Sequence, residues 1–262
     1  MSYTYNIFFD MKFDYVYDKL KDVPYISKNN AKSLYDFIIK NKPKHILELG
    51  IAHGTASCYM AAALKEIGGG KLTCVDLLEV KDSFKPTIEE QLNSLQLHKN
   101  VDIHRMQSGY NWFLHDDIKN SSNNEDQICK PKYDLIIIDG PKNWTIDSSS
   151  FFLCDKLLND NGWIIWDDYK WTYSRANKRK EATDGISHRS LSEEELETPH
   201  IKAIFELLVM QHPNYGNFII QEDSDWVWAN KTSSPDKKQI TYKHSHSVQY
   251  YIIQKIRKLL RK

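Results

Sequence analysis

Cysteine is scarce in this sequence. Cys58, Cys74, Cys129 and Cys154 are scattered, and none falls in a C-x-x-C pair. This spacing argues against a disulfide framework or a structural zinc site, and a reducing, cytoplasmic setting is expected. Long apolar runs are also missing: stretches such as Leu135–Ile138 are strand-sized, far short of the ~18 residues of a membrane span. The N-terminus (MSYTYNIFFDMKFDYVYDK) lacks a basic start, an apolar stretch and a small-residue cleavage site, so no signal peptide is expected. Neither sign of charge dominates, with 35 Lys and Arg against 35 Asp and Glu. A polyanion-binding surface spread over the whole chain is therefore excluded, but a local one is not. From Lys231 onward nine basic residues face a single acid, Asp236, which leaves that tail at +8.

What the sequence does have is folding material. Of its 262 residues 41% are hydrophobic and 12% aromatic, enough for a globular body of one or two domains. A helical pattern over Ser27–Lys40 stops at Pro43. Five strand-type runs follow: His45–Glu48, Leu72–Asp76, Val101–Met106, Tyr133–Asp139 and Trp163–Trp166. Helical segments lie between them at Ala56–Ile67, Ile88–Leu97, Tyr110–Ile118 and Ser150–Leu158. Strands alternating with helices predict βαβ units, and right-handed crossovers make them a doubly wound, Rossmann-like α/β sheet. After the fifth strand the pattern changes. Residues 169–198 are long and polar, a helix carries Ile204, Phe205, Leu207, Leu208 and Met210, and two runs around Glu222–Asp225 predict an antiparallel hairpin. The expected sheet is thus seven-stranded and mostly parallel, with an antiparallel end. Residues 121–132 read as a solvated loop. The chain divides into an N-terminal extension (1–26), a main domain (27–230, with a lid at 169–198) and a basic tail (231–262).

The first chemical feature is the turn after strand one, Glu48-Leu49-Gly50-Ile51-Ala52-His53-Gly54-Thr55. An apolar strand runs through E-x-G-x-x-x-G straight into a helix. Gly50 allows a tight turn, Gly54 allows a close backbone approach, and the helix start offers free N–H groups. Asp76, ending strand two, lies 26 residues past Gly50, where a carboxylate can bind ribose hydroxyls. The spacing is not G-x-G-x-x-G, which disfavours a nicotinamide dinucleotide. The second feature is a set of acids after strands four and five: Asp139-Gly140-Pro141-Lys142 and Asp167-Asp168. Ligands bind beyond the carboxyl ends of parallel strands. Three acids placed there repel one another unless a cation intervenes, and hard oxygen donors suit Mg²⁺ or a similar divalent ion.

These motifs resemble the class I S-adenosylmethionine-dependent methyltransferases, in particular the catechol O-methyltransferase-like branch with its bacterial sugar O-methyltransferases. The resemblance spans about residues 30 to 230. It implies that Glu48, Gly50, Ala52, His53, Gly54, Thr55, Asp76, Leu77, Gln107, Ser108 and Asp139 surround S-adenosylmethionine, with Gln107 and Ser108 near the adenine. It implies metal ligation by Asp139, Asp167 and Asp168, and a base at Lys142, three residues after Asp139. The bacterial sugar enzymes read roughly D-G-x-H there, so Lys142 stands where they carry histidine, and His188 is a second candidate for the base. Residue by residue, plainer readings stay open. Ser108 can be a helix N-cap, His53 a packing residue, and His45 structural.

The implied reaction is metal-assisted O-methyl transfer to a small polar acceptor. The Lys-, Asn- and Ile-rich composition suggests an AT-rich genome, and the resemblance implies as acceptor a sugar or related group of a bacterial surface polysaccharide (capsule or lipopolysaccharide), free or carried on a nucleotide or lipid. Trp171, Tyr173, Arg175, Lys178, Arg179, Lys180, His188 and Arg189 in the 169–198 stretch can bind such a group or form a solvated loop. The alternative is a same-fold, metal- or nucleotide-dependent enzyme of the cephalosporin-hydroxylase-like type that transfers no methyl. A non-catalytic scaffold is disfavoured by acids at all three strand ends. A nucleic-acid methyltransferase would want D-P-P-Y after strand four, and Asp139-Gly-Pro-Lys does not match, so no nucleic-acid partner is expected. Residues 247–262 form a basic amphipathic helix. It can pack on its own domain, dock on a protein partner or another copy of the chain, or lie peripherally on the inner membrane face.

Overall fold

The computed structural model describes residues 13–123, 128–176, 191–232, 242–244 and 248–260. A helix over residues 13–20 (α1) leads to α2 (Lys28–Asn41), whose N-cap Ser27 accepts from the Asn30 N–H. Then follow β1 (His45–Leu49), α3 (Thr55–Glu66), β2 (Lys71–Leu77), α4 (Ile88–Ser94), β3 (Val101–Met106) and α5 (Tyr110–Ser121). The short strands β4 (Ser122–Asn123) and β5 (Ile128–Cys129) precede β6 (Tyr133–Ile138), α6 (Trp144–Leu157) and β7 (Leu158–Trp166). The C-terminal part holds α7 (Tyr173–Ala176), α8 (Glu193–Glu197), α9 (His200–Ile204, continued by a π-helical turn over Phe205–Val209), β8 (Tyr215–Gln221), β9 (Trp226–Lys231), β10 (Tyr242–His244) and α10 (Val248–Leu259).

The main sheet has the order β10-β8-β9-β7-β6-β1-β2-β3. β7, β6, β1, β2 and β3 are parallel, and β9 runs antiparallel between β7 and β8. This is the expected Rossmann-like α/β sheet with its antiparallel end. An eighth strand, β10, adds itself parallel to β8 at the edge. The chain winds outward from β1 through β2 to β3, then crosses back to β6. The switch point therefore lies between β1 and β6, the place where such sheets open a ligand crevice. Register makes it sharp: Leu49 pairs with both Val75 and Ile138, and Ile138 pairs with Trp166. The residues that follow these strands thus come level along one edge.

Both faces of the sheet are covered. One buried cluster joins α1–α4 to Ile46, Leu72, Leu135 and Ile165. The other joins α5, α6 and α9 to Leu47, Leu49, Ile136, Ile138 and Trp166. Strands buried on both sides need continuous apolar runs, which is why Leu135–Ile138 carries no polar alternation. α6 begins at Trp144, six residues before the expected start, because Asn143 caps it by accepting from the Thr145 and Ile146 N–H groups. Its polar first turns (TIDSSS) hide that start from a hydrophobic pattern. Within 121–132, β4 and β5 pair antiparallel, a two-residue ladder too short to show as periodicity.

Core packing reaches N-terminal of Ser27. Phe13 is 1% exposed, and its ring centroid lies 5.4 Å from those of both Tyr35 and Tyr59. Val16 and Leu20 are buried beside it. Removing the Phe13 ring leaves a cavity between α1, α2 and α3. Phe13→Ala is expected to cost about 3–5 kcal/mol of stability, measured as a lowered urea midpoint with unchanged slope.

Candidate active site

Four strand ends build the site. Gly50 follows β1 with φ +97°, and a Cβ there would stand 2.1 Å from the Asp139 carbonyl oxygen. The turn is thus pressed against the end of β6, where the Asp139 N–H donates to the Leu49 carbonyl at 2.8 Å. Only glycine meets both demands. Gly54 (φ +77°) precedes α3, and a Cβ there would meet the Ile88 side chain at 2.5 Å. The close approach that Gly54 permits is therefore to α4. No side chain caps α3, so its first N–H groups face the crevice without a side-chain partner.

Asp76 clamps this turn. Its Oδ2 accepts from the Ile51 N–H at 2.9 Å and the Ala52 N–H at 3.1 Å, and its Oδ1 accepts from the Leu77 N–H at 2.7 Å. Three of a carboxylate's roughly four acceptor positions are thus in use. This geometry leaves room for one ribose hydroxyl more readily than two. Ala52 takes a left-handed φ of 48°, a strain the clamp sustains. Glu48 is 2% exposed and sits beneath the turn, where it accepts from the Ser57 hydroxyl. Burial, with a smaller push from Asp139 and Asp76, raises its carboxyl to about 8, against the lowering hydrogen bonds from Ser57 and Cys74. Glu48 is therefore a support under the turn. His53 is buried between Tyr25 and Phe84, with Nδ1 3.1 Å from the Pro86 carbonyl oxygen, and the buried Thr55 hydroxyl donates to Pro24.

Gln107 and Ser108 are exposed after β3. Ser108 does not cap α5: the N-cap is Gly109, with no side-chain hydrogen bond. Its φ of +95° provides the bend that a capping hydroxyl would otherwise stabilise. Arg105, which the sequence reading passed over, is in register with Asp76 across β2 and β3. Its Nη1 lies 3.9 Å from Asp76 and its Nη2 3.8 Å from Glu89. Strand register would have found it, but only once the pairing of β2 with β3 was known.

The acids converge at the end of β6 and β7. Oxygens of Asp139, Asp167 and Asp168 all lie within 4.8 Å of one another, and all three residues are half-buried. Lys142 Nζ donates to Asp139 Oδ1 at 2.8 Å and lies 3.3 Å from Asp168 Oδ2. Lys142 (φ 59°) and Asp168 (φ 58°) are both left-handed, strained conformations that aim the two side chains at each other. Asp167 Oδ1 is held by the Asp168 N–H at 2.6 Å. Burial and the charges of Asp139 and Asp168 raise the Asp167 carboxyl well above its usual range; burial also raises Asp139, although Lys142 pulls it down. For Lys142, burial favours the neutral amine, but Asp139, Asp168 and Asp167 together outweigh it and raise its pKa. In this arrangement Lys142 is an ammonium.

A network steadies that loop from behind. Tyr173 donates to the Pro141 carbonyl at 3.1 Å, and the Asn143 amide donates to Tyr173 at 3.2 Å. His200 Nδ1 accepts from the Trp144 N–H at 3.0 Å. The Trp171 ring centroid lies 4.9 Å from that of Tyr173, and the Trp171 backbone N–H donates to the Asp168 carbonyl at 3.0 Å. Asn143 and His200 carried no sequence signal, because their partners, Tyr173 and the first N–H groups of α6, are brought to them only by the fold. His188, the other candidate base, lies outside the described residues, as do Lys178, Arg179, Lys180 and Arg189.

Residues 47–169, which span the glycine turn, the clamp and the acid cluster, match the model of a family described as a methyltransferase domain. From β1 to the end of β7 the chain is thus similar to a methyltransferase domain. The methyltransferase fold is similar to solved structures. One is the O-methyltransferase of Bacillus cereus in complex with S-adenosylhomocysteine, at 17% identity and TM-score 0.55, covering 85% of this chain and 91% of that one. Another is the Streptomyces achromogenes O-methyltransferase TomG, involved in tomaymycin synthesis and bound to S-adenosylmethionine (15%, TM-score 0.54, 85% and 90%). A third is the S-adenosylhomocysteine-bound methyltransferase PaMTH1 of Podospora anserina (14%, TM-score 0.55, 86% and 88%). No curated protein matches the chain.

The buried acid under the turn makes a pH prediction. Glu48 has a folded pKa near 8 against an ordinary 4.5, so the folded protein binds the proton more tightly than the unfolded chain. Stability from this group is full below the unfolded value and declines as pH rises through that window. In Glu48→Gln the decline is expected to flatten, as read from urea unfolding across the same range.

Proposed function

We propose that the enzyme is an O-methyltransferase assisted by a divalent cation, acting on a hydroxyl of a small polar acceptor, a sugar or related group of a bacterial surface polysaccharide. The observation that carries this reading is the placement of Asp139, Asp167, Asp168 and Lys142 directly beside the Gly50 turn. Methyl transfer from a sulfonium to oxygen is an in-line displacement, and it needs a hydroxyl held in line and relieved of its proton.

S-adenosylmethionine supplies the methyl group. The Gly50–Gly54 turn, the open start of α3 and Asp76 offer the contacts that hold it. The donor set also fits a divalent cation: three hard carboxylates that repel one another within 4.8 Å, two of them with raised pKa values. Asp139, Asp167 and Asp168 would hold that ion, which supplies Lewis acidity at the acceptor oxygen. Lys142 then changes character. While Asp139 and Asp168 face it alone, they keep it charged. Once those acids are engaged elsewhere, burial favours the neutral amine, which can take the acceptor's proton. Trp171, half-buried and bonded to the Asp168 backbone, offers an aromatic face on which a sugar ring can rest.

Asp168→Asn removes one ligand charge and keeps the shape. It is expected to lower turnover at least about a hundredfold, while S-adenosylmethionine affinity by calorimetry stays within a fewfold. Chelation of divalent ions should silence the unmodified enzyme to the same degree. Full turnover in both tests would remove the cation from the mechanism.

A further inference from the structure

α10 is amphipathic and leaves its apolar side uncovered. At about 100° per residue, Ile252, Ile253, Ile256, Leu259 and Leu260 occupy one arc of roughly 120°. Lys255 and Arg257 border that arc on its two sides. A surface helix ordinarily turns such an arc onto its own core. Here the helix meets the described residues at its first turn, where Tyr250 donates to Glu222 Oε2 at 2.9 Å and Lys170 Nζ stands 6.0 Å from the Tyr250 ring, and residues 251–257 beyond it are exposed. The apolar arc is left exposed, with Ile252 at 53%, Ile256 at 49% and Leu260 at 81% exposure.

We propose that α10 seats the enzyme on an anionic bilayer surface. An exposed apolar arc bordered by cations is the geometry of a helix lying at the headgroup boundary. Charge selects the occupant. Residues 248–262 hold five basic residues (Lys255, Arg257, Lys258, Arg261 and Lys262) and no acid, in a chain whose net charge is zero. A second copy docking through the same face would bring like charges together, whereas phosphate headgroups neutralise them. No described helix is long and apolar enough to cross a membrane, so the contact is with the surface.

The place of this helix gives the contact a direction. β7 and β8 are both antiparallel to β9, so their C-terminal ends share one edge of the sheet. Glu222 follows β8 there, and Lys170, two residues past Asp168, donates to the Glu222 carbonyl at 3.1 Å. The seat of α10 is thus tied to the edge that carries the acid cluster. Docking would hold that edge close to the bilayer, whichever acceptor the enzyme uses.

The test is flotation of the full chain with phosphatidylcholine vesicles, with and without phosphatidylglycerol. Binding is expected to the anionic vesicles alone and to fall with salt. Ile252→Asp with Ile256→Asp should abolish it, and Lys255→Glu with Arg257→Glu should weaken it at least about tenfold. All variants should keep the thermal shift given by S-adenosylmethionine. Absence of flotation with anionic vesicles, equal flotation with neutral ones, or a solution dimer that Ile256→Asp dissociates would each overturn the proposal.

Discussion

Carboxylate repulsion organises the edge of this protein's sheet where β6 and β7 end. Asp139, Asp167 and Asp168 are drawn together by the parallel register of β6 and β7, and their charges are costly at that separation unless a cation answers them. Lys142 gives that answer within the chain, and a left-handed backbone is accepted at both Lys142 and Asp168 to bring it about. Packing fixes the rest. Gly50 exists because the β1 turn leans on the Asp139 backbone, so the cofactor turn and the acid cluster cannot move independently. The consequence is a glycine turn and an acid cluster that share one rigid wall.

Asp76 extends the same logic to the other side of the turn. It spends most of its acceptor capacity on backbone N–H groups of the glycine loop, and so shapes that loop before any ligand arrives. Glu48 supports the turn from below as a buried acid bonded to Ser57. Preorganisation of this kind lowers the ordering cost of binding. It also explains why two acids with similar sequence signals serve different ends: one lies at the crevice, the other inside the core.

The architecture was legible where periodicity and turn chemistry agree. Alternating strands and helices gave the doubly wound sheet, and the E-x-G-x-x-x-G turn and the strand-end acids located the crevice. The start of α6 was not legible, since it rests on an Asn143 cap and a polar first turn. Nor were Arg105 and His200, which act through tertiary register and backbone partners, and Tyr173 was legible only as part of the polar stretch, not as a support of the Pro141 turn. The direction of the Lys142 shift could not be read either: a sequence names three acids and an amine but does not say how closely they meet. For α10 the sequence showed the apolar stripe, while only the structure shows it left exposed.

Crystals of the enzyme grown with S-adenosylhomocysteine and Mn²⁺ test the central claim most directly, because the anomalous signal of manganese locates the ion without reference to activity. The account predicts one peak bounded by oxygens of Asp139, Asp167 and Asp168, with Lys142 withdrawn from its contact with Asp168 and the nucleoside against the Gly50 turn. A nucleoside bound there with no manganese peak, and the amine still between Asp139 and Asp168, would contradict it.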